Sequence, residues 1–167
     1  MATLRPAVPA DAPALVRLRS LMHEAMGADA SAVCDPAYLT AAEAAFRRRL
    51  ASDPAFVAFV VEDAAEVVAS GVAFVEEHLP SPSQPDGRRG HIASMSTDLS
   101  ARRRGHARRV VEALMAWLVD EQGLSRVDLR ATPDGEPLYA DLGFQVLGGA
   151  TMSWTARGVR PGMPRPV

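Results

Sequence analysis

The chain has 167 residues, 48% of them hydrophobic, which is enough for one domain with a core of ordinary size. A formal net charge of −2 argues against any global attraction to nucleic acid or to an anionic membrane surface. The single cysteine, Cys34, allows no intrachain disulfide and reads as a reducing, cytoplasmic compartment.

No charged n-region followed by an apolar run opens the sequence, and no apolar run approaches the ~20 residues of a membrane span. Thr3 to Ala7 reads as a short strand stopped by Pro6 or Pro9. Asp11 is a candidate N-cap with Pro13 in the first turn, and Leu15, Leu18, Met22 and Ala25 follow at helical spacing as far as Gly27. Residues 28–37 read as a loop, and Cys34 within it as a free, partly buried thiol with no base beside it. Thr40 and Glu43 have the spacing of a capping box and predict a second helix to about Leu50, ended by Asp53-Pro54. Phe56 to Val61 is a near-continuous apolar run, as a strand covered on both faces requires. Asp63 to Ala65 predicts a turn, and Val67 to Val75 the second arm of a hairpin, with Gly71 at a bulge or a close approach. Residues 79–90, rich in Pro, Ser, Asp and Gly, predict a surface loop.

The most informative stretch comes next. Ile92 to Thr97 is a short extended run, and a polar turn after it carries Arg102, Arg103, Arg104 and Gly105. A helix follows at once, with Ala107, Val110, Val111, Leu114, Met115 and Leu118 on one face. A helix start of this kind presents backbone N–H groups that have no acceptor within the helix, and the helix dipole adds positive charge; both favour phosphate. Gly123 predicts the end of that helix, and Arg126 to Thr132 alternates as a strand. A strand–helix–strand unit of this length predicts a parallel crossover. Glu136 to Leu142 reads as a short helix closed by Gly143. Gln145 to Leu147 and Ala150 to Trp154 read as strand pieces around Gly148-Gly149. Residues 157–167 read as a Pro/Gly-rich tail, leaving 1–156 as one domain. Trp117 and Trp154 are expected in the core or an interface. The order of elements gives an α/β fold: a mixed sheet with helices on both faces.

Two motifs carry a resemblance. Arg102-x-x-Gly105-x-Ala107, after a strand and opening an amphipathic helix, resembles the pyrophosphate-binding signature of the GNAT-type N-acetyltransferases. Ala131 to Phe144, a short helix that carries Tyr139 and ends in Leu142-Gly143-Phe144, is similar to that family's closing segment. Together they cover residues 91–155. The resemblance implies a centrally splayed mixed sheet flanked by helices, with acetyl-CoA as co-substrate and no metal. It implies transfer of the acetyl group to a primary amine of a small molecule, peptide or protein, by direct attack in a ternary complex. The backbone of Met95, Ser96 and Thr97 would pair with the pantetheine arm. Arg102, Arg103, Arg104, Gly105, His106, Ala107 and Arg108 would hold the diphosphate, with one of Arg103, Arg104 or Arg108 left for the 3′-phosphate. The N–H at or near Met95 would serve the oxyanion. Tyr139 would protonate the leaving thiolate as general acid. For the base, Glu76, Glu77 and His78 end one strand and His91 begins the next; Glu77 or His91 is the candidate. His23 either borders the acceptor site or is a solvated histidine. The sequence departs from the family pattern at Ala107, where Gly is common, at Arg104, where a Gly often follows the second arginine, and in the 80–90 loop, which has no counterpart.

Plainer readings stand beside these. The arginine run could be a solvated basic patch or a nucleic-acid contact, the second of which the net charge opposes. Tyr139 could pack on Phe144 and do nothing else. A GNAT-like module could hold acyl-CoA without transferring it. An amine-bearing acceptor is the expected partner, nucleic acid and membrane are not, and a homodimer is left open because family members often dimerise. No His/Cys/Asp/Glu spacing suggests a metal, and there is no Gly-x-Ser-x-Gly elbow.

Overall fold

The structure, a computed structural model, describes residues 1–148 and Trp154. In chain order it contains β1 (Thr3–Pro6), α1 (Ala12–Ala25), α2 (Ala30–Val33), α3 (Pro36–Ser52), β2 (Phe56–Asp63), β3 (Glu66–Glu77) and β4 (Arg88–Thr97). There follow α4 (His106–Ala116), β5 (Val127–Leu129) and α5 (Glu136–Asp141). A 3-10 turn leads into α1 (Pro9–Asp11), another follows β4 (Leu99–Ala101), and a π-helical turn, Trp117–Glu121, extends α4. The five strands lie in the order β1-β2-β3-β4-β5. The first three pairings are antiparallel, and β4 with β5 is parallel, joined by the α4 crossover.

Helices cover both faces, which explains the apolar run in β2. Val61, Ala69, Ala73 and Ile92 pack with Val110, Val111, Leu114 and Leu118 of the α4 side. Ala58, Val60 and Val72 pack on the other face with Ala12, Leu15 and Val16 of α1 and Phe46 of α3. Adjacent Val60 and Val61 thus serve opposite layers, as strand alternation requires.

Several expectations are corrected. The second long helix begins at Pro36, one turn before Thr40, because the Asp35 carboxylate accepts the Ala37 N–H at 2.8 Å and Pro36 suits the first helical position. Thr40 and Glu43 lie inside it, and Glu43 pairs with Arg47 at 2.7 Å instead of capping. Within the expected 28–37 loop, Asp29 caps the short helix α2 through the Ser31 N–H at 2.8 Å. Cys34, just after it, is exposed rather than partly buried. Asp11 does not cap α1 with its side chain; its carboxylate instead takes Arg5 and the Val8 N–H. β2 runs two residues past Val61, and the tight turn that follows it holds Ala64 and Ala65 at φ 51° and 65°. β5 is shorter than the predicted strand. Gln145 to Leu147 is not a strand. The rest of the predicted hairpin, apart from Trp154, and the 157–167 tail lie outside the described residues. Trp117 is buried in the core, whereas Trp154 is exposed.

Candidate active site

β4 and β5 share only three register positions, Gly90 with Val127, His91 with Asp128 and Ile92 with Leu129. β5 ends at Leu129, so the pairing stops at Ile92 and Ala93 to Thr97 have no β5 partner. On its other side β4 still follows β3, with a bulge between the Val72–Ala93 and Ser70–Ser96 pairs. Ser94 sits in that bulge at φ 52°, an unusual value for a residue with a side chain. Gly71 lies opposite. A Cβ there would collide with Met95 Sδ and come within 2.8 Å of Val110 Cγ1, so the glycine is needed for a close approach as well as a bulge. The Met95 side chain is therefore directed to the α4 layer, and among the described residues no strand pairs with the far edge of β4 from Ala93 to Thr97.

α4 starts beside the end of that edge. Arg103 and Gly105 both have positive φ, 62° and 79°, and together turn the chain into the helix. Gly105 has no side chain to cap with, and the first bond of the helix is Arg109 N–H to Gly105 C=O at 3.2 Å. The amides of His106, Ala107 and Arg108 precede it and so have no acceptor within the helix. Arg102 Nε donates to Thr97 C=O at 3.2 Å and ties the loop to β4. Arg104 pairs with Asp63 at the end of β2, and Arg108 with Asp141 of α5, each at 3.0 Å. Arg109 donates to Ala2 C=O at 3.2 Å. The Arg103 side chain has no hydrogen-bond or ion-pair partner among the described residues. His106 is buried, and neither ring nitrogen has a partner among the described residues. Burial first, then Arg104 and Arg109, push its pKa below 6.5 and keep it neutral.

Tyr139 belongs to the core cluster that includes Val110 and Leu114, and its ring meets Phe144 edge-on at 5.9 Å. Burial raises its pKa above 10.0, so it holds its proton across the neutral range. The Arg108–Asp141 pair links α5 to the first turn of α4, and Tyr139 packs in the same cluster as Val110, Val111 and Leu114 of that helix.

The two candidate bases are placed differently. Glu77 is exposed and in register with Arg88, at the far end of β4 from Met95, roughly 20 Å along the strand. His91 is in register with Phe74 and stacks on its ring at 5.0 Å, roughly 13 Å before Met95. Glu76 and His78 pair with each other at 3.3 Å.

On the α1 side of the bulge the structure brings together His23 and three residues that the sequence does not single out, Arg19, Ser94 and Tyr38. Arg19 Nη1 donates to Ser94 Oγ. His23, one turn on from Arg19, meets the ring of Tyr38 from α3 edge-on at 6.3 Å. It is partly buried rather than solvated, and burial followed by the Arg19 charge lowers its pKa. The Tyr38 hydroxyl is buried without a hydrogen-bond partner among the described residues. Arg19 and Ser94 are 75 positions apart, and no local pattern links them. Among the described residues no group of three His, Cys, Asp or Glu is placed to hold a metal, and no helix is long and apolar enough to cross a membrane.

Compared with known proteins, the chain matches the family model described as acetyltransferase (GNAT) family over residues 18–144. No curated protein matches it. Among solved structures, a GCN5-related N-acetyltransferase from Ralstonia eutropha JMP134 is 29% identical, covers 95% of this chain and 100% of its own, and superposes with a TM-score of 0.81. A predicted acetyltransferase with acetyl-CoA from Clostridium acetobutylicum is 23% identical over 93% of this chain and 95% of its own, with a TM-score of 0.76. Glucosamine-6-phosphate N-acetyltransferase from Arabidopsis thaliana shares the fold at 17% identity, over 93% of this chain and 99% of its own, with a TM-score of 0.72. The family match runs from within α1 to Phe144 and so takes in β4 and β5, the arginine–glycine helix start and the closing helix together: the chain belongs to the GNAT family of acetyltransferases.

Proposed function

We propose that the protein is an N-acetyltransferase that moves the acetyl group of acetyl-CoA to a primary amine, by direct attack while both substrates are bound. The observation that carries this reading is the end of the β4–β5 pairing at Ile92, next to a helix whose first amides have no acceptor within the helix. In this reading the amides of His106 to Arg108 take the diphosphate, where the helix dipole and the arginines favour anions. The pantetheine amides pair with the open edge at Met95 to Thr97 as an added strand would. The solved structure with acetyl-CoA supports that choice of acyl donor.

The amine nitrogen then attacks the thioester carbonyl carbon. A C–N bond forms and the carbonyl oxygen becomes an oxyanion, for which the Met95 N–H is the donor. The oxyanion collapses, the C–S bond breaks, and the thiolate takes the proton that Tyr139 holds. The amine sheds one proton. Of the two bases the sequence offers, His91 is the nearer, and from roughly 13 Å along β4 it takes the proton through a chain of several waters.

Calorimetry with acetyl-CoA, followed by thiol release with a panel of primary amines, tests the reading. Heat of association that disappears in Gly105→Glu is expected, because glutamate there strains a left-handed residue and brings a negative charge to the diphosphate. No heat with the parent chain ends the proposal. Binding without thiol release for any amine leaves a non-catalytic acyl-CoA module in its place.

A further inference from the structure

A cation that is partly buried and lacks a carboxylate beside it is an uncommon arrangement, because desolvating an unpaired charge is costly. Arg19 is such a group. It projects from α1 between the core residue Leu18 and the half-buried Ser20. Its one partner among the described residues is the hydroxyl of Ser94. The other arginines of that region are neutralised: Arg17, two residues earlier, has Asp98 at 2.6 Å, and Arg5 has Asp11 and Glu62. Ser94 is itself buried and precedes Met95, the residue whose N–H faces the reacting carbonyl in the proposed reaction. The Arg19 guanidinium is thus held one hydrogen bond away from the residue adjoining the reaction centre. It lies on the face of β4 opposite the Met95 side chain and α4. A serine hydroxyl fixes one nitrogen of the fork and leaves the others directed elsewhere. His23 stands one turn on from it along α1 and meets the ring of Tyr38 on α3, whose hydroxyl has no partner among the described residues. These add neutral donors but no negative charge.

We propose that Arg19 is a specificity-determining residue that binds an anionic group, a carboxylate or a phosphate, on the amine acceptor. This rests on the transferase reading above and narrows it to amines that carry such a group a few bonds from the nitrogen. A planar guanidinium meets either anion with two parallel N–H donors, which fixes orientation as well as charge. The Ser94 contact holds the fork in place before the acceptor arrives, so less freedom is lost on binding.

The test uses matched pairs in the full chain: amino acids against their amides, and phosphoethanolamine against ethanolamine. The amide's amine is the less basic of its pair, so a preference for the acid cannot come from amine protonation. The expected result is kcat/KM about 10- to 100-fold higher for one anionic class, the range of a charge-assisted hydrogen bond. The first pair reports a carboxylate site and the second a phosphate site. In Arg19→Gln, which can still donate to Ser94, the preference collapses through KM while acetyl-CoA binding by calorimetry is unchanged. Arg19→Lys restores part of it. Equal rates within both pairs, or a preference that survives in Arg19→Gln, overturns the assignment. Calorimetry of the same anionic amines on the chain gives a readout that does not need turnover. Binding lost in Arg19→Gln supports the anion site even if no transfer is seen, and no binding by any of them overturns it. Failure to bind acetyl-CoA, by contrast, counts against the transferase reading alone.

Discussion

The thioether of Met95 lies where a side chain on Gly71 would have to go. The contact joins β3 to β4 at the bulge, and Val110 and Leu114 of α4 close in on the same point. Gly71→Ala should therefore push Met95 and the bulge outward and cost about 1–3 kcal/mol of stability, as overpacked cores do. Turnover should fall with it, because the Met95 N–H moves with the strand. Urea unfolding of a double-mutant cycle with Met95→Ala checks the cause: the methionine change should cost less in the Gly71→Ala background than in the parent. Additive costs would show that the two residues do not share this space.

Tyr139→Phe keeps the ring against Phe144 and removes only the hydroxyl. Turnover should fall ~10²- to 10⁴-fold, the usual contribution of a positioned acid, with acetyl-CoA affinity unchanged. Its pKa is raised above 10.0 by burial, so the folded state holds the proton more tightly than the unfolded chain does. The associated stability is complete below about pH 10 and is lost as pH rises through the folded value. Tyr139→Phe should flatten that alkaline decline in an unfolding series. A turnover number that does not change removes Tyr139 from the chemistry and leaves it as a packing residue.

Where the sequence could be read, a local pattern coincided with a structural one. Val110, Val111 and Leu114 recur at helical spacing and do face the sheet. Gly71 broke an apolar run and does mark both a bulge and a close approach. α3 starts a turn before the Thr40–Glu43 spacing because Asp35 caps it and Pro36 fits its first position, a local alternative that lies close by in the chain. The pairing of Arg19 with Ser94 was not legible at all. It depends on a bulge whose place is set by the register of β3 against β4, and on α1 crossing β4, both long-range outcomes that leave no mark on neighbouring residues. The same holds for Arg104 and Arg108, whose carboxylate partners come from distant β2 and α5.

Asp11 anchors the entry to α1 and so the helix that carries Arg19. Its carboxylate takes two Arg5 nitrogens at 2.7 and 2.9 Å and the Val8 N–H at 2.8 Å, while Arg5 also reaches Glu62 on β2. The Arg5 hydrogen bonds, the largest influence, hold Asp11 below its usual 3.8. A depressed carboxylate stabilises the fold above the unfolded value and loses that contribution as pH falls through the folded one. Asp11→Asn should cost about 1–3 kcal/mol at pH 7. The gap between parent and variant should narrow below about pH 4. Urea unfolding at both pH values checks it, and a gap that persists in acid would assign the effect to packing.

The arginines around Gly105 are not equivalent. Arg104 is engaged by Asp63 and Arg108 by Asp141, whereas Arg103 has no partner among the described residues. A phosphate that takes Arg104 or Arg108 must compete with an existing ion pair, and one that takes Arg103 does not. Arg103→Ala should therefore weaken acetyl-CoA binding most, by about fivefold if an exposed pair is worth up to ~1 kcal/mol. Arg104→Ala and Arg108→Ala should do less. The Arg103→Ala loss should shrink in high salt, since exposed charges are screened. Dephospho-CoA, which lacks the 3′-phosphate, separates the two anionic groups. If Arg103 serves the 3′-phosphate, parent and Arg103→Ala should bind dephospho-CoA equally well in calorimetry. If the difference persists with dephospho-CoA, Arg103 acts on the diphosphate, and if Arg104→Ala or Arg108→Ala proves the weaker binder, the free-partner argument fails.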